Sequence, residues 1–215
     1  MTARCRVCGA NNTGLLLRER CSGSGRDYLH CARCDCVFVP DEFVLSVDEE
    51  RARYLLHEND PADRGYRRFL GRLLERVVPL VAPGAEGLDY GCGEPAVLAE
   101  MLRAAGLDVT GYDLHFRPDD AALQRDYDFI VCSETAEHFR EPLGEFRRLE
   151  GMLRAGGILG VMTGMPECWS GFEHWHYRHD KTHICFYSPR TMGFIAETLG
   201  LRCELPSPDV AVLRR

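Results

Sequence analysis

Lysine is nearly missing from this chain: Lys181 is the single one among 26 basic residues. Also missing is any apolar run approaching the roughly 18 residues of a membrane-spanning helix, which excludes a helical membrane protein. No apolar stretch follows Met1-Thr2-Ala3-Arg4-Cys5-Arg6, so nothing there reads as a secretory leader, and the expectation is a cytoplasmic protein. Positive charge is not in excess either. A net charge of −7 disfavours broad, nonspecific binding to nucleic acid. With 215 residues and 45% hydrophobic content there is ample material for a core, in one domain or one and a half.

Cysteine, by contrast, is plentiful at 11 residues. In a chain without a secretory signal that count argues for metal ligation over disulfides. Cys5-x2-Cys8 and Cys31-x2-Cys34 are two knuckles separated by 22 residues, the spacing of a tetrahedral four-thiolate zinc site in a ribbon or treble-clef module. Cys21 and Cys36 are alternative ligands by position. The segment is rich in Gly, Arg and Ser and buries little by itself, so metal binding would supply its folding free energy, typically ~10 kcal/mol or more. Four thiolates leave no open coordination position, which makes the zinc structural.

A glycine turn carries the most information. Residues 88–90 read as a short strand, Gly91-Cys92-Gly93 as a turn where a Cβ would clash, and residues 95–105 as an apolar-spaced helix closed by Gly106. Residues 109–113 are a second strand ending in Asp113, twenty residues past Gly93. A right-handed strand-helix-strand unit puts that carboxylate beside the turn at the carboxyl edge of a parallel sheet, where it can accept from both hydroxyls of a ribose. Gly91, Gly93 and Ala96 also fit the dinucleotide pattern G-x-G-x-x-G/A. Asp89 argues against it, because a carboxylate there repels a pyrophosphate but can help hold a cationic amino group.

The segment resembles motif I of the class I S-adenosylmethionine-dependent methyltransferases, acidic-x-Gly-x-Gly-x-Gly, with Pro95 in place of the third glycine. Later segments are similar to the same family: a buried-strand pattern at 127–132, the Glu-His pair Glu137-His138, a helix over 142–154, Gly156-Gly157 and a strand at 158–162. The resemblance implies an α/β fold, a Rossmann-like methyltransferase sheet. It implies S-adenosylmethionine as cofactor, contacted by Asp89, Tyr90, Gly91, Cys92, Gly93, Asp113, Leu114, Cys132 and Ser133. Only thirteen residues separate Asp113 from Tyr127, too few for the family's usual helix and third strand, so the sheet should be trimmed there. The domain reading is a zinc-ribbon-like module over 1–40, a helical lid or linker over 41–85 and a methyltransferase core over 86–215. Residues 41–81 are mostly helical in pattern, with Tyr54, His57, Asn59 and Tyr66 as lid residues over the cofactor. At the other end, a helix capped by Ser188-Pro189 precedes a hairpin of 201–205 and 210–213.

The chemistry beyond the cofactor concentrates in two places. The loop 169–183 holds four of the eight histidines, and its aromatic and hydrogen-bonding side chains suit a small polar acceptor. His138, His176 or His183 would serve as a base where the acceptor must lose a proton, and Arg178 would anchor a carboxylate or phosphate. Glu134, Glu137 and His138 are spaced i, i+3, i+4, as on one face of a helix start. In ubiquinone-biosynthesis O-methyltransferases and small-RNA ribose methyltransferases a similar cluster can hold a divalent metal; that second metal ranks below a metal-free site. The catalytic set is therefore His138, His176, Tyr177, Arg178, His183 and Glu134. The leading function is methyl transfer to a small-molecule acceptor. An RNA methyltransferase docking through the basic module is the first alternative, since residues 1–36 carry six arginines against three acids. A non-catalytic cofactor-binding regulator or scaffold is the second.

Overall fold

The computed structural model describes residues 3–20, 25–56 and 59–215. Cys21 and His57 lie outside the described residues.

Six strands form the main sheet: β4 (Glu86–Tyr90), β5 (Asp108–Tyr112), β6 (Tyr127–Ser133), β7 (Leu153–Met162), β9 (Arg202–Ser207) and β10 (Val210–Arg214). Their order is β5-β4-β6-β7-β10-β9. The first four run parallel, and β10 is antiparallel to both neighbours. Strand β6 is buried on both faces, and its alternation separates two apolar layers. Phe129 and Val131 face α2 (Arg64–Val77) and α3 (Val97–Ala104) through Leu70, Leu73, Val77, Val97 and Leu102. Ile130 and Cys132 face α4 (Pro142–Gly151) and α5 (Pro189–Leu199) through Phe146, Leu149, Met192 and Ile195. Gly160 lets α2 approach closely, since a Cβ there would stand 2.7 Å from Val77 Cγ2.

The expected trimming is present. Between Asp113 and Tyr127 the chain makes an isolated bridge of Asp113 with Arg117 and a turn of 3-10 helix, Ala122–Gln124, and β5 is the sheet's edge. Residues 41–85, expected as a helical lid or linker, hold the helices α1 (Val47–Tyr54) and α2, and α1 carries a capping box between Ser46 and Glu49. Helix α3 starts at Val97, so Pro95 precedes the helix and does not open it. The helix expected over 142–154 stops at Gly151 and the chain is extended from Leu153. The reason is a bulge: Tyr127 pairs with Leu153 but Phe129 pairs with Ile158, with Gly156 at φ 78° inside it.

A second sheet has the order β1-β2-β3-β8, built from β1 (Thr13–Arg18), β2 (Asp27–Cys31), β3 (Val37–Phe38) and β8 (Cys185–Phe186). Strand β8 belongs to the far end of the chain, pairing Phe38 with Cys185 and Val37 with Phe186. Cys5, Val7, Leu29 and Phe38 accordingly share one apolar cluster with Phe139, Phe146 and Tyr187.

Candidate active site

One cavity of about 1010 Å³ opens at the carboxyl edge of the parallel strands. Its first end is the glycine turn. The Gly91 and Cys92 amides donate to the Tyr112 carbonyl at 2.8 and 3.0 Å, which pins the turn against β5. Gly91 sits at φ 79°, and a Cβ on it would lie 2.3 Å from the Thr135 side chain. Asp113 is held by the backbone: Oδ2 accepts from the Gly93 amide at 3.0 Å, and Oδ1 from the His115 and Phe116 amides at 2.8 and 3.0 Å. Three of the roughly four acceptor positions of that carboxylate are thereby used. Asp89 is 1% exposed, and its Oδ2 has no hydrogen-bond partner among the described residues. Burial raises its carboxyl to about 7. Ser133 Oγ is likewise buried and unpartnered, and both residues line the cavity. Orphaned buried acceptors of this kind are what a ligand's amino group would satisfy.

The other end gathers the histidines. His138 Nδ1 lies 3.0 Å from the Thr182 carbonyl and His183 Nδ1 2.7 Å from the Tyr177 carbonyl. A carbonyl only accepts, so each Nδ1 carries a proton, and in the neutral ring Nε2 is then the acceptor nitrogen; that of His183 lies 3.9 Å from Glu137 Oε1 and 4.0 Å from Asp180 Oδ2. The rings stand 4.9 Å apart, edge to face. Behind them Glu137 is fully buried, accepting from Thr163 Oγ1 at 2.9 Å and from the Tyr177 hydroxyl. Burial lowers the His183 pKa, against an opposing pull from Glu137. It raises Tyr177, and it raises Glu134 to about 9, with the Glu137 charge adding to the effect. Tyr54 closes the cavity from α1, with ring contacts to His115 and His138 at 5.3 Å each.

A separate cluster lies in the amino-terminal sheet. The Cys5 and Cys34 sulfurs are 3.5 Å apart, as are those of Cys8 and Cys31, and all four fall within 4.8 Å of one another. A tetrahedral ion about 2.3 Å from each sulfur would space them by about 3.8 Å, so the donor set fits zinc. Cys36 is outside this group, its sulfur 3.4 Å from that of Cys185.

Residues 62–205 match the family described as the methyltransferase domain, more than half of the chain. The chain belongs to that family. It is 30% identical over 115 residues to a ubiquinone biosynthesis O-methyltransferase of Xanthomonas campestris pv. campestris, covering 42% of this chain and 48% of the relative. It is 29% identical over 132 residues to the Escherichia coli protein of that name, covering 50% and 51%. The chain thus spans about half the length of the curated relatives it matches. A crystal structure of a SAM dependent methyltransferase from Archaeoglobus fulgidus superposes with a TM-score of 0.55 at 18% identity, over 69% of this chain and 94% of that one. That likeness is one of fold. No helix among the described residues is long and apolar enough to cross a membrane.

Set against this methyltransferase-domain fold, the residues expected at the site divide. Asp89, Tyr90, Gly91, Cys92, Gly93, Asp113, Leu114, Ser133, Glu134, His138, His176, Tyr177 and His183 line the cavity. Two do not. Cys132 points to the opposite face of β6, into the cluster with Phe146. Arg178 is buried away from the cavity, donating to Glu19 Oε1 at 2.9 Å and to the Glu173 carbonyl, so it is not free to anchor an acceptor. Nor do Glu134, Glu137 and His138 share a helix face. Glu134 follows the end of β6 at φ 47°, and only residues 136–138 turn. Among the described residues the group able to hold an ion here is Glu137, His138 and His183, without Glu134. The sequence reading missed Glu50, Tyr112, His115, Phe116 and Glu145 in the lining. Tyr112 was within reach, because it is the register partner of Tyr90 and stacks on it at 5.2 Å.

Proposed function

We propose that this chain transfers a methyl group from S-adenosylmethionine to a small-molecule acceptor. The observation that carries it is the continuity of the cavity, with the glycine turn, Asp113 and the unpartnered Oδ2 of Asp89 at one end and His138 and His183 at the other. Its volume is at the upper end of the usual ligand-pocket range of about 300–1,000 Å³, room for a cofactor and an acceptor together. When bound, the cofactor supplies a methyl group on an electrophilic sulfonium. Asp89 holds the cationic amino group, Asp113 offers its remaining acceptor position to a ribose hydroxyl, and the lid around Tyr54 excludes water. His138 or His183 takes the acceptor's proton at Nε2. The acceptor is read as small because half of the module's six arginines are already engaged: Arg6 with Asp41 and two carbonyls, Arg18 with Asp27, Arg26 with carbonyls.

The chain is then read as a zinc module over 1–40, held by Cys5, Cys8, Cys31 and Cys34, a helical lid over 41–85 and a catalytic core over 86–215. One observation favours a further element: Glu137, His138 and His183 present a carboxylate and two imidazoles within 4.8 Å, a donor set suited to a divalent ion beside the acceptor. S-adenosylhomocysteine release over a panel of phenols, amines and hydroxy acids tests the reading. His138→Ala should lower turnover by about 10²-fold or more, the usual range for a general base, with cofactor affinity within about twofold. Equal turnover in the variant removes His138 from the reaction, and no binding of S-adenosylhomocysteine removes the cofactor.

A further inference from the structure

Arg26 stands immediately before β2 of the amino-terminal sheet, yet both terminal nitrogens of its side chain are spent on the far end of the chain. The residue is 3% exposed. Nη1 donates to the Lys181 carbonyl at 3.0 Å, and Nη2 to the Arg178 and Asp180 carbonyls at 2.9 and 3.0 Å. Nε donates to the Tyr28 hydroxyl at 2.8 Å, which in turn donates to the Arg178 carbonyl at 3.1 Å. Glu19, on the same module, takes Arg178 Nη1 at 2.9 Å and Lys181 Nζ at 2.8 Å. A planar five-donor fork is the one side chain able to satisfy carbonyls from several positions of a tight loop at once.

The loop so held has two further carbonyls, and these point at the histidines. Tyr177, just before the gripped stretch, presents its carbonyl to His183 Nδ1, and Thr182, just after it, presents its carbonyl to His138 Nδ1. A neutral histidine side chain in water prefers its proton on Nε2, the reverse of what both rings carry here. The ring state is therefore imposed by the position of two carbonyls, and those are placed by the loop between them.

We propose that Arg26 is a positioning residue that sets the proton on Nδ1 of both His138 and His183, so that the metal-binding module forms the rear wall of the acceptor site. This rests on the reading of those histidines as acceptor-facing. It gives the module a part in the reaction that needs no contact with substrate. Arg26 holds the 178–181 backbone, the backbone holds the two imidazoles through Nδ1, and each Nε2 is left as the ring's other edge, that of His183 lying 3.9 Å from Glu137 Oε1 and 4.0 Å from Asp180 Oδ2. Losing the fork would let the loop relax and the rings return to the Nε2–H form, which offers no acceptor on that side.

The test uses the full zinc-loaded chain with nitrogen-15-labelled imidazoles at about pH 8, above the ordinary imidazole range. Ring nitrogen shifts report which nitrogen carries the proton. In the wild-type chain both rings should give the Nδ1–H signature. In Arg26→Met at least one should move to Nε2–H or to a mixture, and the amides of 178–183 should exchange about tenfold faster or more. His30, paired with Asp35 at 2.7 Å inside the module, serves as the fold control and should not move. Arg26→Lys keeps the charge without the fork and decides the matter if Arg26→Met fails to fold: it should show the same shift in weaker form. An Nε2–H signature in the wild-type chain overturns the proposal, as do unchanged rings in a folded Arg26→Met, or in Arg26→Lys where Arg26→Met does not fold. S-adenosylhomocysteine affinity, measured alongside, should stay within about twofold in the variants, since none of these contacts reaches the glycine turn. Its absence from the wild-type chain would count against methyl transfer and not against the clamp.

Discussion

Gly91→Ala tests whether the glycine turn has the geometry assigned to it. Two costs add at this position. The residue sits at φ 79°, and an alanine in the left-handed region costs about 1–2 kcal/mol. The new methyl would meet Thr135 Cγ2 and Oγ1 at 2.3 Å and Cβ at 2.8 Å. Thr135 cannot simply swing aside, because its hydroxyl is bonded to the Ser133 carbonyl at 2.9 Å and lies 3.3 Å from the Gly91 carbonyl. Overpacking of this kind typically costs a further 1–3 kcal/mol, so the total is about 2–5 kcal/mol. In a chain of this size that lowers the melting midpoint by roughly 4 to 20 °C. If the turn shifts to relieve the overlap, the loss appears instead as weaker binding of S-adenosylhomocysteine. Calorimetry in both modes captures either outcome. Thr135→Ala in the same chain removes the two nearest contacts, so the double variant should be less destabilised than the sum of the singles. A Gly91→Ala protein with wild-type melting and wild-type cofactor affinity would refute the reasoning.

Asp89 supplies a pH-dependent expectation. Its carboxyl stands at about 7 against an ordinary 3.8, so the folded chain holds a proton that the unfolded chain has released between those values. Its contribution to stability is thus full below about pH 4 and is lost as the pH rises through 7. Asp89→Asn should then be more stable than wild type at pH 8 by an amount of up to about 4 kcal/mol, shrinking to nothing near pH 4; urea unfolding across that range measures it, and a pH-independent difference contradicts the burial argument. For the module, metal analysis after exhaustive dialysis should find one zinc per chain through Cys5, Cys8, Cys31 and Cys34. Cys31→Ser should release it and loosen β3 from β8, seen as faster amide exchange at Cys185 and Phe186, whereas a variant that keeps its zinc would reassign the ligands.

Much of this protein was legible in sequence because the signals are local. A strand, two glycines and an acid at fixed spacing define the turn at Gly91 and Gly93, since both sit at positive φ and at Gly91 a Cβ would also run into Thr135. The thirteen residues before Tyr127 are too few for a crossover helix and a further parallel strand, and β5 is accordingly an edge. The paired Cys-x2-Cys knuckles bring four sulfurs together for the same reason of chain geometry. What spacing could not carry is which partner a side chain meets across the fold. Arg178 looked free to bind an anion, but Glu19, 159 positions away, neutralises it. Glu134 shares the i, i+3, i+4 spacing of a helix face, yet it follows the end of β6 at a positive φ, and Glu137 and His138 join His183 instead. The pairing of β3 with β8 is antiparallel contact between segments nearly 150 residues apart, which no periodicity encodes. Sequence determined the turn, the trimmed sheet and the thiolate set, because each is closed within a short stretch of chain. Only the tertiary structure decided that the amino-terminal module reaches behind the histidines, because that depends on which carbonyls folding places within reach of Arg26.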